Sequence, residues 1–304
     1  PIFFEYRVSS PVNPKIKLGS CVPEQCYIFN SVMMPFKFAF SAHPMPLYSL
    51  IYKCGDDLRQ DQVILTMINI MNKILINDNI DLKLTPYTVL AVSPNHGLIE
   101  YIPSTSVAEV LSSYGTIQNY FRTVAPVCSS PSGIDPLVLE NYVKSCAGYS
   151  VITYLLGIGD RHLDNLLLTN QGKLFHIDFS YILGRDPKPY PTPIRLNREM
   201  VEGMRGLSSK EFEYFLSLCC ISYIHLRRQA NTIINVFSLF VHSDLGEISA
   251  EPDKAVSKLV EKFRFDLNDH EAESHLKSLI YYSLNATFAT VVETIHKFAQ
   301  KIRR

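Results

Sequence analysis

The sequence predicts an α+β fold in two lobes: a small β-rich N-lobe over residues 1–102 and a larger, mainly helical C-lobe over 103–304. Three observations lead there. The early apolar runs are short and rich in β-branched and aromatic residues, as strands are. One stretch among them switches to a helical period, and from Val107 onward helical patterns dominate.

In chain order, "CYIFNSVMMPFKFAF" and "LYSLIYK" read as strands, with "SAHPMP" between them as a turn. In "DLRQDQVILTMINIMNKILIND", Val63, Ile64, Met67, Ile70, Met71, Ile74 and Leu75 recur at helical spacing and give one amphipathic helix. "TPYTVLAV" and "GLIEYI" return to strand character, and "APVCSSPSGIDP" is a loop between helices. Near the end, Leu284, Phe288, Val291, Val292, Ile295, Phe298, Ala299 and Ile302 mark one apolar stripe with basic residues close by. Such a C-terminal amphipathic helix either docks its stripe on the C-lobe, its charges suiting a helix end, or lies in a lipid interface.

Bulk properties exclude several classes. With 47% hydrophobic and 19% charged residues in 304, the chain has enough apolar material for a sizeable core. Its formal net charge of zero gives no global field toward nucleic acid or anionic lipid, and no nucleic-acid partner is expected. Seven cysteines without a CxxC pair fit reduced thiols in a cytosolic compartment better than a disulfide frame or a zinc knuckle. No apolar run reaches the ~18 residues of a membrane span. The chain starts at Pro1, with neither a Met nor a signal peptide, and is read as a fragment or processed form with its upstream part not shown.

The chemistry concentrates in "GIGDRHLDNLLLTNQGKLFHIDFSYILGRDPKP", Gly157–Pro189. Protein kinases set His-Arg-Asp, an Asn and Asp-Phe-Gly at similar stations; here the triplet is reversed and Ser180 stands where the Gly would be. Phosphoryl transfer needs oxygen ligands for a metal facing the phosphates, and Asn165 and Asp178 supply a neutral and an anionic one, suited to Mg²⁺. The "LLLTNQGKLFHI" between them reads as a β-hairpin turning at Asn170-Gln171-Gly172, which could bring the two side by side at its open end. Lys53 ends an apolar run, and Asp61 follows in a cluster with Asp56, Asp57 and Arg59, an acid that could hold the Lys toward a phosphate. A phosphate-covering turn would have to be "FNSVMMP", which lacks glycine; its Ser31 could hydrogen-bond a phosphate. Neither GxxxxGK[ST] nor GxGxxG occurs, so a P-loop or dinucleotide fold is unsupported.

These residues resemble the phosphoinositide 3-kinase/4-kinase family, whose loops read "GDRHxxN" and "DFG" and whose "KxGDDLRQD" carries an ATP-contacting Lys. Within the family, "GDDLRQDQ", "LKLTPY", "YVKSCAGY", "GDRHLDNLLLT", "YILGRDPKP", "MVEGM" and "IHKFAQ" resemble the class III phosphatidylinositol 3-kinase branch. The resemblance runs from Gly55 to the C-terminus and implies a bilobal protein-kinase-like fold, ATP with Mg²⁺ (or Mn²⁺), and phosphatidylinositol as substrate, phosphorylated at its 3-hydroxyl. It implies that Lys53 contacts phosphate and Asp61 orients it. Tyr87 and Ile99 shape the inner pocket, Ile102 meets adenine after the Glu100-Tyr101 hinge, and Leu167 and Ile177 form the floor. Asn165 and Asp178 bind metal in a catalytic loop at 157–165 and an activation loop at about 178–200.

His162 becomes the expected proton acceptor, an imidazole being a ready base near neutral pH, with Asp160 supporting the loop or sharing the role. Arg161 is expected to be structural, pairing with a nearby carboxylate. Substrate contacts fall to Arg185, Lys188 and Arg195, a sparse set that suits a headgroup whose only phosphate is a diester. Membrane contact falls to Phe298, Lys301, Ile302, Arg303 and Arg304. The resemblance further implies a protein-kinase-like regulatory subunit, a beclin-type adaptor, and a cytoplasmic enzyme peripheral on endosomal and autophagic membranes. Rival readings are a related Ser/Thr protein kinase and a nucleotide-binding scaffold disabled by Ser180. A positive φ at Ser180 would cost roughly 1 kcal/mol, and ordinary angles nothing.

Overall fold

The structure, a computed structural model, describes residues 8–302 apart from 244, 246, 247 and 250, and for 287–302 the backbone alone. The chain divides into two units. Residues up to Asn69 with Pro86–Pro103 form the first, and Ile70–Thr85 with the residues from Ser104 on form the second.

In the first unit, antiparallel strands join in the order β1-β2-β4-β5-β7-β6, with β3 paired on β4. Their ranges are β1 (Val8–Ser9), β2 (Lys17–Cys21), β3 (Tyr27–Ile28), β4 (Phe36–His43), β5 (Leu47–Cys54), β6 (Val89–Ser93) and β7 (His96–Glu100). The first expected strand divides into β3 and β4 around a turn at 29–35, β4 takes in Ser41–His43 of "SAHPMP", and β5 forms as expected; the turn before it carries a cis His43–Pro44 bond. One face of this sheet buries Val12, Ile16, Tyr48 and Leu50. The helical stretch read from the 3.6-residue period is α1 (Arg59–Asn77). Its Val63, Ile64, Met67, Met71 and Leu75 are buried, while Ile70 and Ile74 at the stripe's margin are half-buried.

The second unit is built around α4 (Pro136–Leu156), which follows α2 (Val107–Tyr114) and α3 (Ile117–Val124). Asp135 caps α4 by accepting the Leu137 amide hydrogen, and Gly157 ends it in the left-handed region at φ 60°. Seventeen of its 21 residues are buried, so it is enclosed on nearly every side, as a central helix is. It packs against α6 (Lys210–Arg228) and α8 (Pro252–Lys262), with α5 (Arg198–Gly203) and α7 (Ala230–Ser238) completing the sequence order before α9 (Asp269–Ile302). In α9, Ala272, Leu276, Ile280 and Leu284 are buried at four-residue spacing, so its first half docks on the protein. No helix among the described residues is long and apolar enough to cross a membrane.

A second small sheet, β10-β9-β8, lies beside α4 and carries the hairpin. Its strands are β8 (Thr105–Ser106), β9 (Leu166–Leu168) and β10 (Leu174–His176).

Candidate active site

The "LLLTNQGKLFHI" segment forms the expected hairpin. Leu168 pairs with Leu174, Leu167 with Phe175 and Leu166 with His176. The turn closes through Gly172, at φ 83°, where a side chain is strained. At the open end the Ile177 amide donates to the Asn165 carbonyl (3.1 Å), which brings Asn165 next to the residue preceding Asp178. Asn165 is buried, and its Nδ2 donates to the Asp160 carbonyl (3.0 Å). That bond fixes the amide's orientation and leaves Oδ1 as the group with acceptor capacity alone. Asp178 is exposed and sits at φ 62°, a region that Asp tolerates better than most residues. Two hard oxygen donors of this kind are what Mg²⁺ takes from a protein when substrate phosphates complete its shell, so the donor set fits the metal.

Ser180 does not share Asp178's positive φ, so replacing the expected Gly costs no left-handed strain. Instead its hydroxyl donates to Asp178 Oδ1 at 2.6 Å and its amide to the same oxygen at 3.2 Å. The serine therefore adds a donor to the carboxylate that a glycine could not supply.

The loop before the hairpin brings Asp160 and His162 together. The imidazole is half exposed; its Nε2 lies 3.8 Å from Asp160 Oδ2 and its Nδ1 3.5 Å from Asp164 Oδ2. Asp160 itself has φ 52°. Arg161 donates to the carbonyls of Gly159 (2.7 Å), Ile177 (2.7 Å) and Asp178 and stacks over Phe179, so it ties the loop to the hairpin's end through backbone oxygens.

Beneath the hairpin, His176 is fully buried and stacks on Tyr149 with centroids 4.8 Å apart. Both its ring nitrogens lack a hydrogen-bond partner, and burial, aided by the Arg161 charge, pushes its pKa well below the usual value. Since the folded pKa lies below the unfolded one, the unfolded chain takes up the proton first as pH falls. Stability should hold above about pH 6.5 and fall below it by up to about 1.4 kcal/mol per pH unit. Urea denaturation midpoints of the wild type and His176→Phe over pH 5–7 check this; the slope should shrink in the variant.

Of the three expected substrate cations, Arg185 and Lys188 are exposed on the segment after the hairpin. Arg195 is not available to a headgroup, which corrects the expectation. Its side chain is 11% exposed, its Nη2 pairs with Asp186 Oδ2 at 3.0 Å and its Nε donates to the Ile158 carbonyl at 3.0 Å. Burial pulls its pKa down and Asp186 opposes the shift. Proline spacing and charge alone could not distinguish a cation turned inward from one facing solvent.

In the first unit, Lys53 lies on β5 and its Nζ is ion-paired with Asp56. Asp61, the acid expected to orient it, sits in the first turn of α1. Ser31 is exposed at the tip between β3 and β4, where its amide donates to the Phe29 carbonyl (3.0 Å) and its carbonyl accepts from Met34 (3.0 Å). Ile99 and Glu100 end β7, and the Glu100 carboxylate accepts the Thr88 amide hydrogen at 3.0 Å. Tyr87 is buried just before β6, and Ile102 is half-buried two residues past β7. A residue that sequence reasoning missed supports this strand end. The Lys37 ammonium lies over the rings of Tyr27 (4.9 Å) and Tyr101 (4.4 Å), and burial lowers its pKa. In the second unit, Leu167 and Ile177 are half-buried on and beside the hairpin strands. Of the membrane candidates, Phe298, Lys301 and Ile302 fall where only the α9 backbone is described, and Arg303 and Arg304 lie outside the described residues.

The hairpin brings the oxygens of Asn165 and Asp178 to one end, next to the Asp-Arg-His loop, a donor set of the kind a phosphate-bound Mg²⁺ takes. The family model for phosphatidylinositol 3- and 4-kinase matches residues 47–132 and 115–250. Over 298 residues the chain is 46% identical to the phosphatidylinositol 3-kinase, root isoform, of Glycine max, covering 98% of this chain and 37% of that protein. It is 45% identical over 299 residues to the phosphatidylinositol 3-kinase VPS34 of Arabidopsis thaliana, with 98% and 37% covered. Against the phosphatidylinositol 3-kinase VPS34 of Saccharomyces cerevisiae the identity is 42% over 293 residues, with 96% and 34% covered. The chain belongs to the phosphatidylinositol 3- and 4-kinase family, and it spans little more than a third of the length of these relatives.

Proposed function

We propose that this chain is the kinase domain of a class III-type phosphatidylinositol 3-kinase, transferring the γ-phosphate of ATP to the 3-hydroxyl of phosphatidylinositol. The observation that carries the reading is the hairpin end, where Asn165 and Asp178 offer oxygens beside a half-exposed His162 flanked by two carboxylates. Choice of the 3-position rests on likeness to relatives named phosphatidylinositol 3-kinase.

Asn165 and Asp178 hold Mg²⁺, which when bound neutralises charge on the phosphates. Lys53 contacts the nucleotide phosphates, aligned by the acids of its strand-to-helix turn, Asp56 and Asp61. By likeness to the family, Ser31, Tyr87, Ile99, Glu100 and Ile102 of the first unit take nucleotide-binding roles, and so do Leu167 and Ile177 of the second. His162 takes the proton from the inositol hydroxyl as it attacks, and the carboxylates of Asp160 and Asp164 stabilise the imidazolium that results. Arg185 and Lys188 are the cations left for the headgroup diester, since Arg195 is engaged with Asp186. We extend the family likeness to a protein-kinase-like regulatory subunit and a beclin-type adaptor, and to work on endosomal and autophagic membranes, where the last turns of α9 meet lipid.

The test is phosphate transfer from ATP with Mg²⁺ to phosphatidylinositol vesicles, resolving the modified hydroxyl. A 3-phosphate product supports the reading. ATP binding without any lipid product overturns it, and transfer to protein acceptors alone moves the assignment to a related protein kinase.

A narrower expectation concerns Ser180. Its hydroxyl occupies an Asp178 lone pair that the metal could use, so Ser180→Gly should lower the Mg²⁺ concentration for half-maximal rate by about threefold. Magnesium titration of the rate at saturating ATP checks it; an unchanged midpoint shows that the bond does not compete.

A further inference from the structure

We infer that Asp186 is a positioning residue for the catalytic loop, with Arg195 as its counter-charge, an inference that rests on the phosphotransferase reading of that loop. The Asp186 side chain is 2% exposed although its segment runs over the surface. Its Oδ2 accepts the backbone amide hydrogen of Asp160 at 3.0 Å and receives Arg195 Nη2 at the same distance. Its Oδ1 accepts the Lys188 amide hydrogen at 2.8 Å, so the carboxylate takes three donors, from Asp160, Lys188 and Arg195. Arg195 is held in turn by the Ile158 carbonyl, two residues before Asp160.

Asp186 accepts the Asp160 amide hydrogen, while Arg161 Nε holds the Gly159 carbonyl and Asn165 Nδ2 the Asp160 carbonyl. The neighbouring ties between the two segments are backbone bonds: Leu183 to Leu156, Gly184 to Gly157 and Gly159 to Tyr181. They end at Gly159, and a Cβ there would lie 2.1 Å from the Arg185 carbonyl, so only glycine permits the approach. One residue later the chain turns through φ 52° at Asp160, a conformation that costs free energy for a non-glycine residue. A charged acceptor on the Asp160 amide stabilises that turn, and the turn aims both the Asp160 carboxylate and the carbonyl that orients Asn165. Asp186 thereby bears on the base side and the metal side of the site through the backbone of one residue. Arg195 supplies the counter-charge that makes a buried carboxylate tolerable there.

The experiment compares the full-length wild type with Asp186→Ala, Arg195→Met and the double variant, reading amide hydrogen exchange of the 157–165 segment and, separately, kcat and KM for ATP. Asp186→Ala should speed exchange in 157–165 by about tenfold while the α4 and α6 amides keep their rates. It should lower kcat by about tenfold or more with KM for ATP within about twofold. Arg195→Met should act in the same direction with a smaller effect, and the double variant should lose less than the two single losses combined. Unchanged exchange at 157–165, a kcat loss no larger than the unfolded fraction, or losses that add across the two sites would overturn the inference. If the wild type makes no lipid product, the functional reading fails while the exchange result still decides the role of Asp186. Should Asp186→Ala not fold, Asp186→Asn takes its place with the same expected direction in both readouts.

Discussion

Asp178→Ala is expected to lower kcat by about 10³-fold or more, equivalent to about 4 kcal/mol of transition-state stabilisation. Asp178 is the only anion in the proposed ligand pair, since Asn165 brings an oxygen without charge. Part of any loss in the alanine variant is conformational, because at φ 62° alanine costs about 1 kcal/mol that aspartate partly avoids. Asp178→Asn separates the two effects. It keeps both the tolerance for that backbone angle and an oxygen, and removes only the charge. Steady-state rates over a magnesium titration, with metal–nucleotide binding followed by calorimetry, provide the check. A variant within tenfold of the wild type would remove Asp178 from the metal site and shift attention to the neighbouring carboxylates of the 160–164 loop.

The largest effect on stability is expected from Gly172→Ala. The turn of the catalytic hairpin is packed against the start of α4 so closely that an added Cβ would lie 2.1 Å from the Val138 carbonyl oxygen and 2.9 Å from its carbon. Those atoms are helix backbone and cannot swing aside as a side-chain tip can. The turn is also pinned from both sides, by Asn141 Nδ2 donating to the Gln171 carbonyl (3.0 Å) and by the Tyr120 hydroxyl donating to Asn170 Oδ1 (2.8 Å). Left-handed strain adds to the clash, and together they should cost about 3 kcal/mol or more. A fall in Tm of roughly 5 °C follows for a chain of this size. Differential scanning calorimetry measures it; a shift under about 2 °C would mean that the turn has room to move.

What the sequence made legible was whatever depends on neighbours in the chain. The period of Val63, Ile64, Met67, Met71 and Leu75 located α1 because a helix's buried face repeats every turn. The hairpin was readable for the same reason, since Gly172 marks the turn and the apolar residues on either side must pair. Contacts between distant segments left no such trace. The two-residue strand β8 has no pattern of its own and exists only because Thr105 and Ser106 pair with Leu168 and Leu167. Arg195 looked like a solvent-facing cation because its partner Asp186 is nine residues away, a spacing that no helix or strand period reports. Lys53 showed the opposite case. Several acids lay within reach along the chain, and only the three-dimensional turn singles out Asp56 for the ion pair.

The central helix bears on how this domain fails in a cell. Because α4 is buried on nearly every side, any opening of the helical unit releases a rod of about 30 Å with a largely apolar surface. A partly opened chain is then prone to aggregate or to be held by chaperones before it can close again. Substitutions far from the hairpin that weaken the packing of α4 should lower the amount of enzyme, leaving the turnover of the surviving molecules intact.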